Sequence, residues 1–331
     1  MSIGRLKIIA LASGFILLVV LIIALISKDK ELGDNHKEDE YNIVEKELLR
    51  IEPIAGTLVE DIKIEYNITE KTLEAVFQDD NKLFKEEQID YGSPLVSSVK
   101  FEYEDNIANV KIELKEYCTY SQEVKNNILY VHFDEIDKQD NRLIVIDPGH
   151  GGYDVGAQNG NIYEKDINLS VAKYISDILK ENGYIPIMTR SNDVFVSVEE
   201  RVDFSNNMKP KVFVSIHCND NADSSAKGTE ILYNTKDAGE SNSSLWLSKI
   251  LLESITSSVS TKKRNVISGN AIHIVRNSTV PVALVEMGFM SNEEDLQLLS
   301  TSQGQKRLAQ GIADGIMDAM KNINEMENKN E

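Results

Sequence analysis

Residues 143–152 read LIVIDPGHGG, and this stretch decides the fold of the second half of the chain. Its first four residues are all apolar, as in a strand that is buried on both faces of a parallel sheet. The chain then enters a polar, glycine-rich loop that contains His150. In covered parallel sheets, functional side chains gather at the carboxyl ends of the strands. His150 is therefore a candidate functional residue.

The rest of this half alternates apolar runs with helical patterns. The alternation predicts an α/β domain over residues 141–323, built on a mostly parallel, twisted sheet with helices on both faces, and followed by a polar tail at 324–331. Pro186 predicts that its strand lies at an edge of the sheet. The basic run at 262–264 is interpreted as a solvated turn. Strands are predicted at residues 143–147, 184–188, 211–217, 228–233, 271–275 and 280–286, and helices at 166–182, 197–208, 245–255 and 305–320.

Two other predicted strands also end on polar side chains. One leads into His217 and the other into Glu286, while Glu164 stands just before a predicted helix. Two imidazoles and a carboxylate can hold a catalytic zinc ion and leave one position open for water. Taken singly, His217 would be interpreted as a satisfied core histidine and Glu164 as a helix-start carboxylate. The coincidence of all four residues favours a metal site.

The preceding part of the chain differs in its pattern of charged, polar and apolar residues. Residues 28–40 are rich in charge and predict a linker that buries little apolar surface. From 41 to 140, short runs alternate polar and apolar residues and are separated by Asp, Asn and Gly. This pattern predicts a small antiparallel β domain with one solvated face on each sheet.

Residues 8–27 carry no charge, and twenty helical residues reach about 30 Å, the thickness of a hydrocarbon core. Residues 1–27 are therefore predicted to form a short tail and a single transmembrane helix. A cleavable signal has a shorter apolar core, so we expect an uncleaved anchor. Arg5 and Lys7 precede the run while Lys28 and Lys30 follow it, so flanking charge leaves its orientation open.

Composition narrows the classes of function further. The 331 residues include 35 Lys and Arg against 54 Asp and Glu, a formal net charge of −19. A field of that sign repels phosphate backbones, so no nucleic-acid partner is expected. Two cysteines are too few for a disulfide scaffold or a cysteine zinc site.

Five ordered motifs lie between residues 143 and 322: 146–152 (IDPGHGG), 163–169 (YEKDINL), 188–190 (MTR) with Glu200 and Arg201, 214–219 (VSIHCN) and 285–292 (VEMGFMSN). Together they resemble the motifs of one family, the zinc-dependent N-acetylmuramoyl-L-alanine amidases of the amidase_3 type. These enzymes have a phosphorylase/hydrolase-like α/β fold. The predicted β domain at residues 41–140 is similar in strand pattern to the AMIN modules that precede some of these amidases and bind the cell wall. A spacer without a ligand is an equally open interpretation of that region.

Carried over residue by residue, the resemblance implies zinc ligands at His150, Glu164 and His217, with Glu286 as the general base. It implies a peptidoglycan hydrolase that cleaves the amide between N-acetylmuramic acid and L-alanine by means of zinc-activated water. Peptidoglycan lies outside the cytoplasmic membrane, so we expect a single-pass membrane protein with an extracytoplasmic catalytic domain. A zinc peptidase acting within the stem peptide and a non-catalytic wall-binding protein are the alternatives. The sequence identifies no protein activator.

Overall fold

The computed structural model describes residues 47–51, 62, 64–80, 86–90, 93–125, 128–237 and 242–327. The predicted transmembrane segment and the charged linker lie outside these residues. No helix within the described ranges is both long and apolar enough to cross a bilayer.

The first region consists of antiparallel strands, as the alternating pattern predicts. Five strands form one sheet in the order β2-β3-β6-β5-β4, and three form a second sheet in the order β1-β8-β7. Every pairing in both sheets is antiparallel. The strands are β1 (Glu47–Ile51), β2 (Ile64–Asn67), β3 (Thr72–Gln78), β4 (Glu87–Asp90), β5 (Val96–Glu104), β6 (Ile107–Leu114), β7 (Cys118–Lys125) and β8 (Ile128–Glu135).

The second region is a six-stranded mixed sheet with helices. Its order is β12-β9-β13-β16-β14-β15; the first four strands are parallel, β14 is antiparallel to β16, and β15 is parallel to β14. Pro186 lies in the edge strand β12, as predicted. The elements are β9 (Leu143–Pro148), β10 (Gln158–Asn159), β11 (Ile162–Tyr163), α1 (Glu164–Glu181), β12 (Ile185–Met188), α2 (Val198–Met208), β13 (Val212–Asn219), β14 (Thr229–Tyr233), α3 (Ser244–Ser258), β15 (Lys263–Ser268), α4 (His273–Asn277), β16 (Val282–Phe289), α5 (Glu293–Ser300) and α6 (Ser302–Glu327).

Helices pack on both faces of this sheet. Side chains alternate between the faces along β9, so Ile144 and Ile146 share a cluster with α1, α3 and α6, while Leu143 and Val145 share one with α2 and α4. The second of these clusters continues into the β region. Helix α6 runs to Glu327, beyond the predicted start of the polar tail at 324.

Two local predictions are wrong. Residues 271–275 were expected to form a strand because they are rich in β-branched residues, but the chain forms α4 there and buries Ile274 and Val275. The basic run at 262–264 does not remain a turn, because Lys263 begins the edge strand β15. Tertiary packing decides the first case, and pairing with β14 decides the second.

The β region contacts helix α2 and the segment between β12 and α2. Tyr117 meets Phe204 edge to face, with ring centroids 5.0 Å apart. The Tyr66 amide donates to Ser191 Oγ at 3.1 Å, and Asn67 forms an isolated antiparallel bridge with Arg190. The first region therefore packs against a loop that, as described below, supports the candidate site.

Candidate metal centre

The structure brings all four predicted site residues to one edge of the sheet. His150 lies just beyond β9, and Glu164 is the first residue of α1. His217 and Glu286 occupy the neighbouring parallel strands β13 and β16, where they are register partners. Three adjacent strands thus deliver two imidazoles and one carboxylate to the same place, as the sequence predicts.

His150, Glu164 and His217 form a group that could hold a metal ion. Each offers one ligand atom, and these atoms lie within 4.8 Å of one another. Glu164 Oε1 is 3.2 Å from His150 Nε2 and 2.9 Å from His217 Nδ1. The two imidazole rings meet edge to face, with centroids 5.0 Å apart. Two nitrogens and a carboxylate oxygen are the donor set of many catalytic zinc sites.

The Glu164 carboxylate is held on both oxygens. Oε2 accepts from the Ala157 amide at 2.8 Å, and Oε1 accepts from the Cys218 amide at 3.0 Å and from Asn168 Nδ2 at 3.2 Å. Burial disfavours ionisation of Glu164, but hydrogen bonds from His150 and His217 outweigh it and hold the carboxyl pKa well below its usual range. Glu164 therefore offers an ionised carboxylate oxygen, held in a fixed position, as a metal ligand.

A second carboxylate, Asp154, orients His150. Asp154 Oδ2 lies 2.9 Å from His150 Nδ1, which leaves Nε2 directed toward Glu164. Burial lowers the His150 pKa, but the hydrogen bonds with Glu164 and Asp154 prevail and raise it to about 9. A carboxylate behind a ligating histidine fixes its tautomer and ring orientation. Asp154 was not predicted, although a carboxylate four residues after a candidate ligand is a signal for this role.

Two glycines leave room for these side chains. A Cβ added to Gly149 would lie 2.2 Å from His217 Cε1. A Cβ on Gly156, where φ is +67°, would lie 2.5 Å from Glu164 Oε2 and 2.7 Å from His150 Cδ2. Any larger residue at either position would therefore displace a candidate ligand.

Two buried arginines hold the loop that carries His150. Arg190 donates to the carbonyls of Pro148 at 3.0 Å and Gly149 at 2.9 Å. Arg201 donates to the carbonyls of Pro148 and His150, both at 2.7 Å. His150 itself has φ +60°, a left-handed conformation that is uncommon for a residue other than glycine. The guanidinium groups thus hold three consecutive carbonyls around this unusual turn.

Asp147 balances part of this buried charge. Its Oδ1 accepts from Arg201 at 2.7 Å and from Thr189 Oγ1 at 2.5 Å, and its Oδ2 accepts from Ser215 Oγ at 2.6 Å. Burial raises the Asp147 pKa, but Arg201 and the two hydroxyls outweigh that effect and keep it below its usual range. Sequence patterns alone do not indicate that Arg190 and Arg201 are buried, because a buried arginine has no distinct pattern.

Glu286 is a half-buried carboxyl beside the metal-binding group. Its Oε2 is buried and has no hydrogen-bond partner within the described part of the chain. Burial, with smaller contributions from the charges of Glu164 and Glu230, outweighs the effect of His217 and raises the Glu286 pKa to about 7. A carboxyl with a pKa near neutrality can both accept and return a proton.

Cys218, which follows His217, was predicted to pack rather than to ligate. Its Sγ is buried, 3.6 Å from Asn168 Oδ1, and burial raises the thiol pKa well above its ordinary value. Cys218 does not join the metal-binding group found among the described residues. Its contribution to the site is the backbone amide that donates to Glu164.

The fold and the site define an α/β protein with a two-histidine, one-carboxylate centre at the carboxyl edge of its sheet. The chain belongs to the N-acetylmuramoyl-L-alanine amidase family called Amidase_3, whose sequence profile matches residues 144–318. The match excludes the β region, and no comparison identifies that region as an AMIN module.

Relatives and solved structures agree with this assignment. The chain is 35% identical to the N-acetylmuramoyl-L-alanine amidase LytC of Bacillus subtilis over 172 residues, which are 52% of this chain and 34% of LytC. It is 32% identical to the germination-specific N-acetylmuramoyl-L-alanine amidase of the same organism, over 53% of this chain and 78% of that protein. The solved catalytic domain of the amidase CwlV from Bacillus (Paenibacillus) polymyxa var. colistinus superposes with a TM-score of 0.51 and 35% identity, covering 54% of this chain and 98% of that domain.

Proposed function

We propose that this protein is a zinc-dependent amidase that cleaves peptidoglycan between N-acetylmuramic acid and L-alanine, with His150, Glu164 and His217 as ligands and Glu286 as general base. One observation supports this most strongly: three ligand atoms lie within 4.8 Å of one another beside a carboxyl oxygen that is buried and without a partner in the described residues. Family membership supports the choice of substrate.

The residues present fit a zinc ion. The donor set is of the right type, Asp154 orients one imidazole, and glycines at 149 and 156 leave space that a Cβ would fill. When bound, zinc would lower the pKa of a water molecule and polarise the amide carbonyl. Backbone and side-chain donors keep Glu164 ionised and fixed, so the chain itself preorganises the ligand set.

Glu286 would move the proton. Its carboxylate would take a proton as water adds to the amide carbonyl carbon, and would return that proton to the nitrogen of L-alanine as the carbon–nitrogen bond breaks. The products are a free lactyl carboxyl group on the glycan and a stem peptide with a free amine. A pKa of about 7 suits both transfers near neutral pH.

Product analysis tests this reaction. We would incubate the full chain with purified sacculi, with and without a chelator, and identify the new termini by mass spectrometry. The expected products are peptide-free muramic lactyl groups and intact stem peptides, lost on chelation and restored by zinc. Shortened peptides would identify a stem-peptide peptidase, and wall binding without cleavage would identify a non-catalytic protein.

The cellular placement is also a proposal. The uncharged run at 8–27 supports a single membrane anchor, and a peptidoglycan substrate supports a catalytic region outside the cytoplasmic membrane.

Substitution of Gly149 tests the space around the metal. We expect Gly149→Ala to abolish stoichiometric zinc binding, because its Cβ would overlap the His217 ring. Gly160→Ala is the control for the added methyl group: no atom lies within 4 Å of its Cβ, and its φ of +60° adds a backbone strain that Gly149→Ala does not carry. Zinc content measured by elemental analysis would decide, and full occupancy in Gly149→Ala would contradict the proposed ligand set.

Zinc affinity should depend on pH through His150. A histidine binds metal in its neutral form, and the metal-free His150 has a pKa of about 9, so a proton competes with zinc below that pH. We therefore expect the apparent affinity to rise about tenfold from pH 7 to pH 8 and to level off above pH 9. Competition with a chromogenic chelator measures it, and an affinity that does not change over this range would contradict the assignment.

A further inference from the structure

Two aromatic side chains stack on each other at the surface near the metal centre. The rings of Tyr153 and Phe195 have centroids 4.3 Å apart and planes inclined by 23°. Tyr153 is 80% exposed and Phe195 is 38% exposed. The two rings together form one contiguous apolar surface that faces water, and such surfaces often mark binding sites.

Tyr153 projects from a tight turn that is connected to a candidate metal ligand. Gly151 and Asp154 exchange two backbone hydrogen bonds of 2.8 and 3.1 Å, so Gly152 and Tyr153 occupy the centre of the turn. Asp154 then contacts His150 through its side chain. Three residues of chain place the Tyr153 Cα within roughly 11 Å of the His150 Cα.

The loop that carries Phe195 is held by hydrogen bonds against the turn that carries Tyr153. Asp193 Oδ1 accepts from the Gly152 amide at 2.8 Å, and Lys165 Nζ donates both to the Gly152 carbonyl at 2.9 Å and to Asp193 Oδ2 at 2.5 Å. A Cβ on Gly152 would lie 2.8 Å from the Phe195 amide nitrogen. The backbone that carries both aromatic residues is therefore held in place before any ligand arrives, which reduces the entropy cost of binding.

The chemistry of the pair suits a sugar ring. A pyranose has a face of C–H groups that can lie flat on an aromatic ring, and rigid aromatic side chains supply contact area with little loss of conformational freedom. A sugar ring of this kind carries no charge, so the net charge of −19 does not repel it. In the proposed substrate the scissile amide hangs from a sugar through a short lactyl group, so the glycan must pass close to the metal centre.

We infer that Tyr153 and Phe195 form a glycan subsite that, during amide cleavage, stacks on a sugar ring of the peptidoglycan strand next to the muramic acid that carries the scissile amide. This inference rests on the proposed amidase function, which supplies the substrate. It assigns the pair to binding of the glycan rather than to the stem peptide or to the chemical step.

Binding of a peptide-free sugar oligomer tests the subsite independently of catalysis. The probe is the tetramer of N-acetylglucosamine, titrated into the full chain and followed by calorimetry. We expect Tyr153→Ala to raise its Kd about tenfold and Tyr153→Phe to change it by less than about twofold, because the phenyl ring keeps the stacking face. Val76→Ala, at an apolar residue that is 61% exposed in the β region, is the control and should leave the Kd unchanged.

A kinetic comparison completes the test. For soluble glycan chains that carry stem peptides, Tyr153→Ala should raise KM about tenfold with kcat within about twofold, and for a single-sugar muramoyl dipeptide KM should change much less. An unaltered Kd and KM in Tyr153→Ala would overturn the subsite and leave the amidase proposal intact. A fall in kcat on both substrates would also overturn it. If the wild-type protein binds the tetramer through Tyr153 but cleaves neither substrate, the proposed amidase function is overturned instead.

Discussion

Glu286→Gln should lower the turnover of peptidoglycan by roughly 10²–10⁴-fold while the protein keeps its zinc. Glutamine has nearly the same shape as glutamate but cannot take a proton from water. Glu286 Oε2 has no partner among the described residues, so the substitution leaves no other group unpaired there. The loss should therefore fall on the chemical step, and we would measure kcat on solubilised glycan chains together with the zinc content.

Glu294→Gln is the matched control for this substitution. Glu294 is a largely exposed glutamate whose side chain pairs with Lys227, and a surface pair of this kind contributes little to stability. The kcat of Glu294→Gln should stay within about twofold of the kcat of the unsubstituted protein. Turnover that survives Glu286→Gln, with zinc still bound, would show that another group moves the proton.

Arg201→Met should destabilise the fold by about 3–5 kcal/mol, the cost of removing one partner of a buried ion pair. The change leaves the Asp147 carboxylate buried without its cation and removes donors to the carbonyls of Val196, Pro148 and His150. Because the His150 carbonyl is one of those acceptors, zinc affinity should fall together with stability. Denaturant unfolding and a zinc titration measure the two effects.

Arg307→Met is the control for Arg201→Met, because Arg307 is exposed and, among the described residues, its side chain donates only to the Ser258 carbonyl through Nη2. It should cost no more than about 1 kcal/mol. A cost of this small size for Arg201→Met would mean that the arginine does not support the metal loop in the way described here.

The sequence allowed the candidate metal centre to be predicted because of a simple topological rule. His150, His217 and Glu286 each follow or end an apolar run, and parallel strands bring their carboxyl ends together at one edge. Residue type at the ends of the predicted strands indicated the site, and the five family motifs then assigned the role of each residue. Glu164 was a candidate because it stands just before a predicted helix, and the structure places it as the first residue of α1.

The supporting residues could not be predicted in the same way. Arg190 and Arg201 are buried charges that donate to backbone carbonyls. Every residue has a backbone carbonyl, so the pattern of residue types does not show which of them an arginine will contact. The strand β15 was missed because its exposed, polar residues resemble a loop, and α4 was misassigned because propensity was outweighed by burial of Ile274 and Val275. In each case the deciding interaction is long-range.

Anomalous diffraction at the zinc edge, on crystals of the zinc-loaded full chain, tests the central claim most directly. We expect one peak in this region, about 2.0–2.2 Å from a nitrogen of His150, a nitrogen of His217 and an oxygen of Glu164. A zinc-loaded protein with no peak among these three side chains, or with its zinc bound elsewhere, would contradict the account.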